Sequence, residues 1–510
     1  MARTVPFAFT LLWLLAFILS GCLESEQEPE LGPEKLRCEP GPFDTTFTRL
    51  ATPRDDPIVD DKDLMWDHDS YDVRTCSLPA IGRHVLNDDG IPHRYIGEMD
   101  SKALHDLAAV AVVGNGEAPR VYLLDIADRA QPKVLSYVDQ LGTYMVDVKI
   151  SDDGKVLYTA SQDDPSLEIV DQLPSPTSPD GFSVYNIEDR KNPRYLGTVV
   201  DSGGGCHMMS TVQVSATDDA VFCVSQHVRS YLIDRSRQTL VNYGYVEYVP
   251  TDENGVPIPA APPRPPGPVP NVQFPEALPF ASGPHDMTVY HEGGTFGAGR
   301  SYMVVSHWGE GVRVLDITDA PAVQEVGVWM GEGATHYYGN VHTAMMFRVA
   351  DHRYIIASPE LTNSTATQVP SLWVLNADDL SDLTLVGEWF HPNEHLAQGL
   401  YLTTHQWQVA PTGEGVAPED VRIYLSYNHA GIWVLDFGQL LKKDHWSAIL
   451  GYNLVRQPIE QETSVGNAVL STWDVNVVDG HIYGTDRATG LWIFHYQEDE
   501  LGDKRLTGFA

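Results

Sequence analysis

Histidine recurs in this chain at one position of a repeated phrase. His105 (ALHDLAAV), His207 (CHMMSTVQV), His285 (PHDMTVY), His342 (VHTAMMF) and His405 (THQWQVA) each open a short β-type run, and Val146 (YMVDVKI) and Trp473 (TWDVNVV) open two more in the same register. His227 (SQHVRS), His307 (SHWGEG) and His429 (YNHAG) close the run that follows an opening, while His336, His391 and His395 lie just ahead of two openings. Neutral imidazole is the commonest side-chain metal ligand near pH 7, so imidazoles gathered on one face make a candidate copper or zinc site. The same residues have a structural alternative. A repeat also copies its framework residues, and a His followed by Asp can satisfy buried backbone of a neighbouring strand. Distances among the imidazole nitrogens decide between the two.

Such residues meet only if the chain keeps returning to one axis. The phrase VYLLDIADRAQPKVLSYVD (Val121 to Asp139) recurs as FSVYNIEDRKNPRYLGTVVD (Phe182 to Asp201), VRVLDITDAPAVQEVGVWM (Val312 to Met330), SLWVLNADDLSDLTLVGEWF (Ser371 to Phe390) and IWVLDFGQ (Ile432 to Gln439). Self-similarity at several tens of residues signals a solenoid, propeller or array. Each copy divides into four short runs, with apolar residues such as Val312, Val314 and Leu315 suited to buried sheet faces and Asp, Pro or Gly at the turns. Radial stacking of such sheets leaves only short, protected edges. The seven openings therefore predict an all-β, seven-bladed β-propeller of four-stranded antiparallel blades, with strands a to d running from axis to rim. The start of strand a and the b-to-c segment share one face near the axis, which would collect the histidines at the channel mouth.

Closure should also leave a trace. PHRYIGEMD (Pro92 to Asp100) resembles the strand-d phrase PRYLGTVVD yet precedes the first opening, so it is expected to supply the outer strand of the last blade, whose other strands come from Thr472 to Tyr496. RLTGFA at the C-terminus competes for that place. The Pro-rich segment Val256 to Pro279 is expected as a polyproline-like excursion between blades three and four.

The VLDITDAP type of strand c with its following strand d, and the HDM or HDL opening of strand a, resemble the LVIVD-repeat family of bacterial surface and secreted propellers over Pro92 to Tyr496. The resemblance implies the architecture and an exported location; it implies no particular activity. The strand-c phrases are also similar to those of selenium-binding, methanethiol-oxidase-like propellers, but the Cys-Ser-Ser-Cys motif of that group is absent.

Ahead of the repeats, Arg3 and the apolar run Phe7 to Leu19 form a secretory signal that is too short for a mature transmembrane helix. Leu19-Ser20-Gly21-Cys22 matches the bacterial lipobox, so residues 1–21 are expected to be removed and Cys22 to be lipidated. Residues 22–91 then form the lipidated tether and N-terminal extension, and residues 92–510 the propeller. Leu23 after the lipidated Cys favours the outer membrane or cell surface within the cell envelope. A net charge of −37 argues against a nucleic-acid partner, because phosphate binding needs clustered Lys and Arg. Of five cysteines, Cys22 aside, Cys38, Cys76, Cys206 and Cys223 are an even number in an oxidising compartment. Cys38 with Cys76 would staple the extension; Cys206 with Cys223 would close one hairpin, although a turn at Thr217 to Ala220 sets Cys223 nearer Val212.

The acidic stretch Asp55 to Asp72 lacks the Gly and terminal Glu of an EF-hand loop and reads as a solvated linker. G-x-S-x-G, Walker A, Rossmann and HExxH patterns are absent. Two functions follow as expectations. One is a non-catalytic, membrane-anchored binding scaffold that recognises a protein, glycan or small ligand through its His-rich face. The other is a metal-dependent, copper-type redox enzyme with a His-coordinated centre at the channel mouth.

Overall fold

Apolar runs such as Val121 to Leu124 and Leu372 to Leu375 are buried on both faces, as continuous runs of strand length should be if sheets pack on either side. The computed structural model describes residues 74–76, 78, 80–84, 86, 95–113, 119–139, 144–162, 181–200, 205–224, 228–235, 242–248, 283–308, 310–320, 322–334, 341–360, 370–390, 403–428, 431–443, 448–454, 472–486 and 490–496, all within the unit Cys38–Ala510. Their strands form seven antiparallel sheets, the blades of a seven-bladed β-propeller. The inner strands of blades 1 to 7 are Tyr95–Lys102, Tyr144–Ile150, Met208–Gln213, Gly283–His291, Val341–Val349, Thr403–Ala410 and Thr472–Val478.

Blades adhere through apolar clusters that straddle their junctions. Leu107 and Leu123 pack with Val148, Ile150 and Leu157 between blades 1 and 2; Val304 and Val314 pack with Ala344 and Ile355 between blades 4 and 5. Each buried Val, Leu or Ile side chain among them contributes about 1.5–3 kcal/mol relative to exposure. Where the outer strand meets the next blade, bulk is excluded. A Cβ on Gly327 would lie 2.3 Å from Leu380 O, and one on Gly387 would lie 2.9 Å from Leu440 O. Ser136 stands at the same register of blade 1, and its hydroxyl donates to Arg190 O at 2.5 Å.

The closure differs from the sequence expectation. Tyr95–Lys102 is the inner strand of blade 1, and Leu107–Val113, with the HDL phrase at its start, is the second strand. The outer strand of blade 7 is Ala80–His84, antiparallel to Gly490–His495. The cause is a doubled signature, since an Ile-Gly pair occurs at Ile81-Gly82 and again at Ile96-Gly97. Only the first has outer-strand pairing, with a register shift between Ala80 and Gly82 like that between Tyr195 and Gly197 in blade 2. After the second pair come Glu98 and Asp100, whose contacts are those of an inner strand: Glu98 is buried, and Asp100 accepts the N–H of Ile150 on the inner strand of blade 2 at 2.7 Å. Arg74–Cys76 adds a fifth strand to blade 6. Blade strands thus begin well ahead of residue 92. The lipobox, the Pro-rich segment and RLTGFA lie outside the described residues.

Candidate functional site

Six inner strands begin with the same irregularity. The a-to-b register shifts at Ile96/Met99, Met145/Val148, Pro284/Asp286, Val341/Thr343, Thr404/Trp407 and Thr472/Asp474. A bulge of this kind re-aims a side chain, and here the shifted positions carry His285, His342, His405 and Trp473. His207 immediately precedes its strand, its N–H bonded to Val224 O at 2.6 Å. Closure therefore brings imidazoles from four successive blades, 3 to 6, into one arc.

Within that arc His207 Nε2 is 3.0 Å from His285 Nε2. Ring centroids of His285 and His342 are 4.2 Å apart, and those of His342 and His405 4.3 Å. Indoles cap the flanks, Trp308 stacked on His285 at 4.7 Å and Trp473 against His405 at 3.7 Å. Three of the four rings are held through Nδ1. It meets Gln162 Oε1 at 2.9 Å in His207, Thr343 Oγ1 at 2.7 Å in His342 and Trp473 O at 2.7 Å in His405. Thr343 has acceptors for its own proton in Asp286 Oδ2 (3.0 Å), His405 O (3.0 Å) and Gln406 Oε1 (3.2 Å), so its oxygen is left to accept from His342. These rings accordingly keep Nε2 as a lone pair. In His342, 1% exposed, that nitrogen has no hydrogen-bond partner and faces Glu360 Oε2 at 3.8 Å. His285 Nδ1 likewise has no hydrogen-bond partner. Burial, then the neighbouring rings, hold the pKa of His285 and His342 well below the usual histidine range, so both are neutral at pH 7.

Directly beneath the arc lies a belt of buried carboxyls at the next register position. Asp147 Oδ2 accepts the N–H of Met209 and Asp474 Oδ2 that of Met99, both at 2.8 Å and both from the following blade. Asp286 Oδ2 accepts from Thr343 of the next blade and, at 3.1 Å, from Gln406 Nε2. The Lys149 ammonium bonds Asp147 Oδ1 at 2.6 Å. Glu98 adjoins Asp474, with Oε1 3.7 Å from His405 Nδ1, and burial pushes its carboxyl well up. The strand-satisfying role that sequence offered for the histidines is filled here by Asp147 and Asp474, which follow Val146 and Trp473, while Asp286 after His285 accepts side-chain donors of the neighbouring blades.

Among the sequence candidates, His207, His285, His342 and His405 come together. His105 does not: it sits on the turn between the first two strands of blade 1, its Nε2 2.8 Å from Asp152 O. His307 is buried beside the arc, next to Trp308, with Nε2 3.5 Å from Glu310 Oε2, which also pairs with Arg313. His227, His429, His336, His391 and His395 lie outside the described residues. Cys206 and Cys223 form a disulfide within the hairpin of blade 3, where Cys223 stands opposite Met209 rather than Val212. Cys38 and the Cys76 side chain are outside the described residues. Sequence reasoning missed Glu360 and Glu98. Aligning strand b on Ser306 and Ser358, which face Asp286 and Thr343, puts Glu360 at the register of Trp308 and was the available signal.

Comparison with known proteins adds a likeness of fold. The β-propeller domain of Cps50 (Swd1) from Myceliophteria thermophila shares 11% identity with a TM-score of 0.43, covering 80% of this chain and 98% of that one. The WD40 repeats of RRP9 share 7% identity with a TM-score of 0.44, covering 82% and 97% respectively. No family model matches the chain, and no curated protein matches it.

Proposed function

We propose that this chain is an exported, lipid-anchored propeller that binds a ligand at the histidine-lined mouth of its channel. One observation carries the reading: His207, His285, His342 and His405, contributed by four successive blades, lie side by side in one arc, in which a buried nitrogen of His285 and one of His342 lack hydrogen-bond partners. A rigid scaffold that converges a few polar groups between aromatic walls is a binding site by construction. Export and anchoring rest on the signal segment and on Leu19-Ser20-Gly21-Cys22, and the resemblance to the LVIVD-repeat family supports the same location.

The test is thermal melting of untagged protein against separate ligand classes: divalent transition metals, oxyanions, saccharides and short peptides. One class should raise the melting temperature of the wild type and fail to do so for His285→Ala. If no class gives a His285-dependent rise, the binding role is lost. Anchoring has its own check, in which Cys22→Ser moves the protein from the membrane fraction to the soluble fraction; a variant still held by membranes refutes the lipid anchor.

A further inference from the structure

The arc carries an electrostatic conflict. His207 Nδ1 is engaged with Gln162 Oε1, so its Nε2 is a lone pair directed at His285 Nε2, 3.0 Å away. If His285 meets it with an N–H, its own Nδ1 becomes a buried lone pair with no hydrogen-bond partner. If His285 keeps its proton on Nδ1, two lone pairs oppose each other. One ring along, the Nε2 of His342 is a further buried lone pair, with no hydrogen-bond partner and the Glu360 carboxylate 3.8 Å away. Buried acceptors left without a donor are costly, and several gathered in one place call for a ligand that answers all of them. A single cation answers the lone pairs of His285, His342 and Glu360 at once, whereas a hydroxyl has one proton to donate and a water two.

We infer that the ligand of this site is a single divalent transition-metal ion, held by His285, His342 and Glu360. Donor atoms of these three residues lie within 4.8 Å of one another, the one such group among the described residues. Ligands at zinc-type bond lengths of about 2.0–2.2 Å stand roughly 3.3–3.6 Å apart in a tetrahedral site, so coordination draws the three donors together by up to about 1–1.5 Å. Two imidazoles with one carboxylate are a donor set for zinc or ferrous iron, with positions left for water or substrate. Anchoring of the other ring nitrogen to oxygen, seen in His342 with Thr343 and in the flanking His207 and His405, is the arrangement that orients ligating histidines. His207 stands by as a fourth donor through its contact with His285. This inference names the ligand of the binding reading above and rests on it.

Zinc(II) titrated calorimetrically into chelator-stripped full-length protein tests it, with cobalt(II) as a spectroscopic probe. Expected is one equivalent of zinc, at least about tenfold weaker in Glu360→Gln and in His342→Ala, and a cobalt ligand-field spectrum altered in both. His105→Ala and His481→Ala, the latter at the start of the second strand of blade 7, should bind as the wild type does, which separates this site from histidines elsewhere. Glu360→Gln is nearly isosteric and keeps the test open if His342→Ala fails to fold. Zinc uptake undiminished in Glu360→Gln, or no uptake by folded wild type, overturns the inference. A His285-dependent melting shift with a saccharide or oxyanion but not with metal would overturn it while leaving the binding reading intact.

Discussion

Asp147 joins two blades and a half-buried cation in one carboxylate. It accepts the N–H of Val148 and the ammonium of Lys149 on Oδ1 and the N–H of Met209 on Oδ2. Asp147→Ala strands a buried backbone donor and leaves a half-buried ammonium without this partner, so a loss of about 1–3 kcal/mol is expected in urea unfolding, with Asp147→Asn costing less; equal stability of wild type and Asp147→Ala would show that the belt is not a clamp. Asp474 gives the belt a pH signature. Burial pushes its carboxyl up to about 7, and Glu98 beside it is raised as well. The unfolded side chain loses its proton near pH 4, so between about pH 4 and 7 the folded state binds more protons, and this pair's contribution to stability falls as pH rises. Asp474→Asn removes part of that titration. The stability of wild type minus variant should therefore decline from pH 4 to 7, with the neutral histidines common to both cancelling; parallel curves would contradict it. At this scale the four arc histidines were legible because a repeat keeps register. Glu360 was not, since it acts once and only in blade 5, and His105 misled because HDL imitates the HDM of blade 4 while beginning a second strand.

The outer strands owe their fit to small residues. With a Cβ only 2.3 Å from Leu380 O, Gly327→Ala must push blade 4 away from blade 5, and overpacking of this kind costs about 1–3 kcal/mol. A fall of several degrees in melting temperature is expected, larger than for the same change at Gly294, where nothing lies within 4 Å; because Gly294 has a positive φ of 78°, some loss there is expected from backbone strain. Equal losses would remove the steric account. Blade number, strand order within blades 2 to 6 and the placement of the VLDI phrase on the third strand were all readable from periodicity. The two N-terminal rim strands were not. Arg74–Cys76 and Ala80–His84 are too short to show alternation, and their partners come from the far end of the chain.

For the whole ring, closure depends on those short segments. Leu86 is fully buried against Leu491 and Ile493, and Leu78 against Trp492 and Phe494. Leu86→Ala should cost about 2–5 kcal/mol, and a chain beginning at residue 87 should lose its single cooperative melt; a sharp, unshifted transition would mean that blade 7 closes without them. Between Ala80 and its partner Phe494 lie roughly 400 residues, which at ~5–20 residues per second take about 20–80 s to synthesise. Pairings so distant in sequence are slow to form. One of the first strands made is thus among the last to be used, and through that interval its open edge must be kept from pairing with another chain.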